Sequence, residues 1–210
     1  MIFQGEHIDS IIFDLGGVIL NIDYQLPVKA FSKLGVTDFH DHYSQAAQKN
    51  LFDLFETGKI DSETFLNELK KSVPPSVSDE KIRDAWNSIL LDLPEERLFV
   101  LEKAAQNHRI FMLSNTNEMH INAFNQYLND QYNLPGLEPF FDKVYYSYEI
   151  GLRKPDLKIF EYVIQDADLN PSTTLFIDDS IQHITAAADI GIITHHLKQG
   201  DIIDLLGDLL

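Results

Sequence analysis

The 210-residue chain has no cysteine. A disulfide framework and a thiolate metal site are therefore both excluded, and nothing argues for an oxidising compartment, so a cytoplasmic location is the default expectation. Positive charge is also scarce. Sixteen Lys and Arg residues stand against 33 Asp and Glu, for a formal net charge of −17. A surface that tracks nucleic-acid phosphates must neutralise them with Lys and Arg, so no nucleic-acid partner is expected. Long apolar runs are missing as well. The stretch after Ser10 is broken by Asp14, and Met1 to Ser10 carries no positive region, so neither a membrane span nor a signal peptide is expected. There is no internal repeat or low-complexity tract, and no feature calls for an obligate protein partner.

What is present suits an α/β domain. With 44 % hydrophobic residues, the chain can bury one good core and carry a large insertion or a small second domain. Short apolar runs at Ile11 to Leu15, Ile110 to Leu113, Val144 to Tyr146, Leu175 to Ile177 and Ile192 to Thr194 read as strands. They are near-continuous rather than alternating, as strands buried on both faces are. Helices are expected between the later ones, at Glu95 to Asn107, Glu118 to Leu128, Leu157 to Asp166 and Ile181 to Ala188, which gives a doubly wound parallel sheet. The interval after the first strand is far longer than one crossover helix requires. Helical stretches at Tyr43 to Phe55, Ser62 to Lys71 and Asp79 to Leu91 fill it, with Asp61 and Ser78 placed as N-caps. The expected division is a core of residues 1–20 and 94–210 and a helical cap of residues 21–93.

Several polar residues fall at or near the carboxyl ends of the strands: Asp14, Ser114, Lys154, and the pair Asp178 and Asp179. Ligands bind at that edge of an open α/β sheet, so these positions should converge on one crevice. Singly, each reads equally well as a cap or a turn residue. Asp14 interrupts an apolar strand and is followed almost at once by Gly16 and Gly17, which let a phosphate or metal approach the backbone. A carboxylate can accept a phosphoryl group and form an aspartyl-phosphate. Three carboxylates in one crevice repel unless a cation sits among them, and an all-oxygen set suits Mg²⁺, held by Asp14, Asp178 and Asp179, with the Gly16 main chain open to its approach. Lys154 would hold Asp14 and the phosphoryl oxygens together. The Ser114 hydroxyl and the Asn115 backbone N–H would complete the anion cradle. Because the net charge repels anions at long range, any phosphate site must supply such local positive charge.

In this arrangement the chain resembles the haloacid dehalogenase superfamily over nearly its whole length. Phe13-Asp14-Leu15-Gly16-Gly17-Val18 resembles the nucleophile motif and Leu113-Ser114-Asn115-Thr116-Asn117 the phosphate-binding motif. Gly151-Leu152-Arg153-Lys154-Pro155-Asp156 resembles the lysine motif and Phe176-Ile177-Asp178-Asp179-Ser180 the metal motif. Each is weak alone, and four in order are specific. The insertion is similar to the four-helix cap of one class, whose closure excludes water and selects substrate. The motif wording is closest to the bacterial glucose-1-phosphate phosphatase branch, and it is also similar to the phosphatase domain of soluble epoxide hydrolases. The resemblance implies a magnesium-dependent phosphatase whose substrate is a small phosphorylated metabolite, a sugar phosphate such as a sugar 1-phosphate.

One departure bears on mechanism. Most phosphatases of the superfamily carry a second aspartate two residues after the nucleophile as general acid, and here that position is Gly16. A positioned acid is worth roughly 10²–10⁴-fold, so substrates with good leaving groups, namely anomeric, acyl or aryl phosphates, are favoured. Three other readings stand beside this one. A 2-haloacid dehalogenase would use the same aspartate without a metal cluster, which Asp178-Asp179 opposes. In a receiver domain the acidic pair comes before the phosphorylated aspartate, whereas here it comes last. Gly16 also fits a catalytically weak protein that binds phosphometabolites. Candidates for substrate choice are Asn21, Asp23, Tyr24, His40, His42 and Phe52, and Glu149 and Arg153 flank the lysine motif. His195-His196 is expected at a turn or an edge, since adjacent strand side chains face opposite ways.

Overall fold

The structure is a computed structural model that describes residues 1–36 and 51–207. A two-stranded antiparallel hairpin, β1 (Ile2–Phe3) and β2 (Glu6–His7), comes first, turned by Gln4 and Gly5 at positive φ. Strands of two residues are too short to give a periodic signal in the sequence. The main sheet follows: β3 (Ser10–Phe13), β4 (Arg109–Ser114), β5 (Lys143–Tyr146), β6 (Thr174–Asp178) and β7 (Ile193–His196). All its pairings are parallel, in the order β5-β4-β3-β6-β7.

The register explains the continuous apolar runs. Ile110, Ile11 and Leu175 form one row across the sheet, Phe111, Ile12 and Phe176 the next, and Met112, Phe13 and Ile177 the third. The first and third rows belong to one buried cluster and the second to another, so both faces are covered. On the first face lie α5 (Glu95–Asn107), α6 (Glu118–Tyr132) and α10 (Ile202–Gly207); on the second lie α8 (Leu157–Asp166) and α9 (Ile181–Asp189), and the short α7 (Ser147–Ile150) directly follows β5. From β3 the chain adds β4 and then β5 on one side, and then β6 and β7 on the other. The carboxyl end of β3 is therefore a topological switch point, where the helices diverge and leave a crevice.

Between β3 and α5 the chain leaves the sheet. Its outgoing and returning segments pair, with Asn21 N–H donating to Asp92 O at 3.0 Å, Leu91 N–H to Asn21 O at 3.0 Å and Asp23 N–H to Ile89 O at 3.0 Å. Among the described residues this excursion holds α1 (Gln25–Lys33), α2 (Leu51–Glu56), α3 (Ser62–Lys70) and α4 (Asp79–Asn87). Asp61 caps α3 by accepting from Thr64 N–H at 2.8 Å, and Ser78 caps α4 by accepting from Lys81 N–H at 3.4 Å. The helix expected through Leu91 stops at Asn87, because Ile89 to Asp92 serve as the returning partner strand. Most of the expected Tyr43 to Phe55 helix lies outside the described residues. The cap helices bury a third cluster around Phe31, Phe52, Phe55, Phe65 and Trp86, with Met119 of α6 joining from the core. Helix α6 runs four residues past the expected Leu128 and ends on Asn133 in the left-handed conformation, which asparagine tolerates.

Candidate active site

Asp14 follows β3 directly, and its N–H continues the ladder by donating to Ile177 O at 2.9 Å. The chain then turns sharply: Leu15 O accepts from Ile19 N–H at 2.9 Å and Leu20 N–H at 2.8 Å. Within this turn Gly17 adopts φ 78°, and a Cβ there would lie 2.3 Å from Asp179 Oδ2. Position 17 thus needs glycine both for its backbone and for the carboxylate packed on it. Gly16 is different. A Cβ there would meet only the Ile22 side chain, at 3.0 Å from Cδ1.

Lys154 is fully buried, and its ammonium has three N–H bonds for three partners. Nζ donates to Leu113 O at 2.8 Å and to Asp178 Oδ2 at 2.7 Å, and it pairs with Asp14 Oδ1 at 2.9 Å. Leu15 N–H also donates to Asp14 Oδ1, at 2.7 Å, so that oxygen is held from two sides. Asn115 braces the lysine loop: its side-chain amide donates to Lys154 O at 2.8 Å, and its Oδ1 accepts from Lys154 N–H at 2.9 Å. Ser114 ends β4, buried, on the wall of the cavity described below.

Asp178 ends β6 and has no exposure at all. Besides Lys154 it accepts from Ser180 N–H at 2.8 Å and bonds His183 Nδ1 at 2.9 and 3.0 Å through its two oxygens. Burial alone would raise its carboxyl, but Lys154 and His183 outweigh burial and hold it well below the usual carboxylate range. Burial pushes the Asp14 carboxyl up strongly and Asp178 and Asp179 push it further, against the pull of Lys154. Asp179 is likewise raised, by burial and then by Asp178. Burial opposes the Lys154 ammonium, yet Asp14 and Asp178 together lift its pKa. The cluster is therefore short of positive charge, with three carboxylates sharing one lysine. Asp14, Asp178 and His183 bring ligand atoms within 4.8 Å of one another. Asp178 and His183 are bonded to each other, and Asp14, Gly16, Asp179 and His183 border the cavity, with Asp178 behind them. Oxygen donors in excess of positive charge suit a hard divalent cation.

The cavity, about 250 Å³, lies between the sheet edge and the cap. The core contributes Asp14, Gly16, Ser114, Asn115, Thr116, Arg153 and Asp179 to its wall; the cap contributes Ile22, Tyr24, Phe52, Glu56, Trp86, Ile89 and Leu90. Of the cap candidates read from sequence, Tyr24 and Phe52 reach it. Asn21 bonds Asp92 at 3.1 Å, and Asp23 accepts from Gln25 N–H at 2.7 Å, both in exposed settings away from the wall. His40 and His42 lie outside the described residues. Glu149 accepts from the Tyr148 hydroxyl at 3.2 Å and does not line the cavity, whereas Arg153 does. His195 and His196 sit on β7, an edge strand, with His195 edge-on to Phe3 and His196 Nε2 beside Asp179 O at 3.0 Å.

Sequence reasoning missed His183, His120, Thr116 and Glu56 on this wall. His183 lies five residues after Asp178, one turn into α9, and that spacing was its available signal. His120 sits one turn into α6, stacked on Trp86 with ring centroids 4.9 Å apart. Its amide is capped by Asn117 Oδ1 at 3.1 Å, and its Nδ1 lies 3.1 Å from Asn117 Nδ2. Glu56 had no sequence signal, because its place depends on how the cap packs.

A protein-family profile described as haloacid dehalogenase-like hydrolase matches residues 8–191. A D-ribitol-5-phosphate phosphatase of Bacteroides thetaiotaomicron is 30 % identical over 195 residues, covering 92 % of this chain and 93 % of that protein. A sesquiterpene phosphatase of Aspergillus oryzae is 24 % identical, covering 89 % and 88 %. Among solved structures, a haloacid dehalogenase family enzyme from Bacteroides thetaiotaomicron, in complex with magnesium and inorganic phosphate, superposes with a TM-score of 0.82 at 32 % identity, covering 92 % of this chain and 96 % of that one. A hydrolase of the same type from Porphyromonas gingivalis gives a TM-score of 0.85 at 29 % identity, covering 96 % and 97 %. No helix among the described residues is long and apolar enough to cross a membrane.

Proposed function

The chain belongs to the haloacid dehalogenase-like hydrolases, and from that membership we propose that it is a magnesium-dependent phosphatase that hydrolyses a small phosphorylated metabolite through an aspartyl-phosphate on Asp14. The observation that carries this reading is the buried Lys154 ammonium set between Asp14 and Asp178, at 2.9 and 2.7 Å, beside a cavity bordered by Asp14, Ser114 and Asp179. The phosphatase relatives and the magnesium and phosphate complex of a 32 % identical enzyme support it.

Asp14, Asp179 and the Gly16 carbonyl would hold the metal, with Asp178 behind them. When bound, magnesium supplies positive charge to the phosphoryl oxygens and relieves the repulsion among the carboxylates. Lys154 and Leu15 N–H fix the plane of the Asp14 carboxylate by holding Oδ1. An Asp14 oxygen forms a bond to phosphorus as the bond from phosphorus to the substrate oxygen breaks, and that oxygen leaves with the electron pair. Ser114 and the Asn115 N–H bind the phosphoryl oxygens. Water then attacks phosphorus, the acyl–phosphate bond breaks, and phosphate departs with Asp14 regenerated. Asn115 acts a second time through its side chain, which keeps the Lys154 backbone in place.

Gly16 offers no proton to the leaving oxygen, so the finer reading is a sugar-type phosphate whose leaving group needs little help, such as a sugar 1-phosphate. The ribitol-phosphate relative sets the competing case, a phosphate on a primary alcohol. Phosphate release is to be measured with and without Mg²⁺ for wild type and Asp14→Asn, on glucose 1-phosphate, glucose 6-phosphate and ribitol 5-phosphate. Release should require both the metal and Asp14, and glucose 1-phosphate should exceed glucose 6-phosphate. Equal activity of Asp14→Asn would remove Asp14 from the mechanism, and equal or reversed rates on the two glucose esters would remove the role given to Gly16.

A further inference from the structure

The cap contributes one carboxylate to the cavity wall among the described residues, Glu56 at the end of α2. A carboxylate facing a cavity that must admit a phosphate dianion opposes binding by charge alone. Glu56 is nevertheless held there. Arg153, next to the catalytic lysine, reaches across to the cap and spans two carboxylates: Nη1 bonds Asp53 Oδ1, and Nη2 lies 3.1 Å from Glu56 Oε2. The second contact is an ion pair without hydrogen-bond geometry. Glu56 Oε2 and Arg153 Nε are both buried and lack hydrogen-bond partners, although both residues line the cavity. Polar atoms buried without a hydrogen bond carry a free-energy cost, and folded proteins rarely leave them so without a reason. Among the described residues, the rest of the cap's wall, Ile22, Phe52, Trp86, Ile89 and Leu90, is aliphatic or aromatic apart from Tyr24.

We propose that Glu56, aimed by Arg153, receives hydroxyl groups of the substrate's leaving alcohol and so selects polyhydroxylated phosphates over apolar ones. A carboxylate accepts hydrogen bonds from two adjacent hydroxyls, and a site built to bond a hydroxyl rejects an analogue that lacks it far more strongly than an apolar wall rejects an added one. The guanidinium offsets the negative charge of Glu56 while leaving the carboxylate its acceptor capacity. Glu56 is in this account a specificity residue, remote from the phosphoryl transfer, and the proposal rests on the phosphatase reading above.

The test compares wild type, Glu56→Ala and Glu56→Gln on ribitol 5-phosphate, glucose 1-phosphate and p-nitrophenyl phosphate, which has no hydroxyl on its leaving group. Glu56→Ala should raise KM for the better polyhydroxylated ester at least tenfold while leaving kcat/KM for p-nitrophenyl phosphate within about twofold. Glu56→Gln, which keeps one acceptor oxygen, should fall between. A parallel loss on all three substrates would show that Glu56 only fastens the cap, and no loss on any would remove it from recognition. Either result with an active wild type overturns this proposal alone. A wild type inactive on all three with Mg²⁺ overturns the phosphatase reading and this proposal with it.

Discussion

Asp179 packs its carboxylate onto Gly17, so closely that a Cβ at position 17 would lie 2.3 Å from Asp179 Oδ2. The glycine of the first strand's turn and the second aspartate of the metal motif thus shape one another across the β3–β6 crevice. Gly17→Ala introduces two strains at once, a left-handed residue with a side chain and a clash with a carboxylate. The backbone strain is about 1 kcal/mol or more, and the clash must be relieved by moving Asp179. Thermal stability should fall modestly, whereas the Mg²⁺ concentration for half-maximal activity should rise by tenfold or more. A metal titration of the variant checks this, and an unchanged metal requirement would separate Asp179 from cation binding.

Lys154 has a second measurable consequence. It is buried with Asp14 and Asp178, and removing one partner of such a cluster leaves carboxylates buried without a counter-charge, at a cost of about 3–5 kcal/mol. Lys154→Met should therefore unfold at much lower denaturant than wild type and lose phosphate release. Saturating Mg²⁺ should restore part of the stability of the variant and less of the wild type's, because the added cation replaces the missing one. Urea unfolding of both proteins, with Mg²⁺ and with a chelator, measures that difference; an equal metal effect on both would refute the shared-charge account.

The fold was legible because its signals are local. Ile11 to Phe13 and Leu175 to Ile177 are apolar without alternation since rows of the parallel sheet are buried alternately on its two faces. Asp14, Ser114 and Asp178 share one edge because each ends or directly follows a strand. The remaining details depend on contacts between distant segments, which a single sequence does not encode locally. The side chain of Asn115 reaches the backbone of Lys154, 39 residues on, whereas in sequence only its backbone N–H reads as part of the anion cradle. Glu56 meets the cavity because Gly58 lets the chain after α2 approach Tyr148, where a Cβ would lie 2.0 Å from the Tyr148 carbonyl oxygen. Asp178 and Asp179 look alike in sequence, yet Asp178 ends β6 and turns inward to Lys154, while Asp179, just past the strand, lies on the cavity wall.

His120 provides a pH test that leaves the carboxylate cluster aside. Burial lowers its pKa from 6.5 to about 4, opposed only by its contact with Trp86 O, so the ring is neutral in the native protein at pH 7. In the unfolded chain it titrates near 6.5. Between those values the unfolded state binds more protons than the native one, and stability must fall as pH drops from about 6.5 toward 4. The full shift corresponds to on the order of 3 kcal/mol. His183 and His108 are also lowered by burial and contribute in the same direction, so the informative quantity is the difference between wild type and His120→Gln. Urea unfolding at pH 7.0, 6.0 and 5.0 should show wild type losing more stability on acidification than the variant, with the two curves converging toward the lower pH. Parallel curves would mean that His120 accepts its proton in place, as it could only if the Trp86 side of the cavity admitted water to the ring.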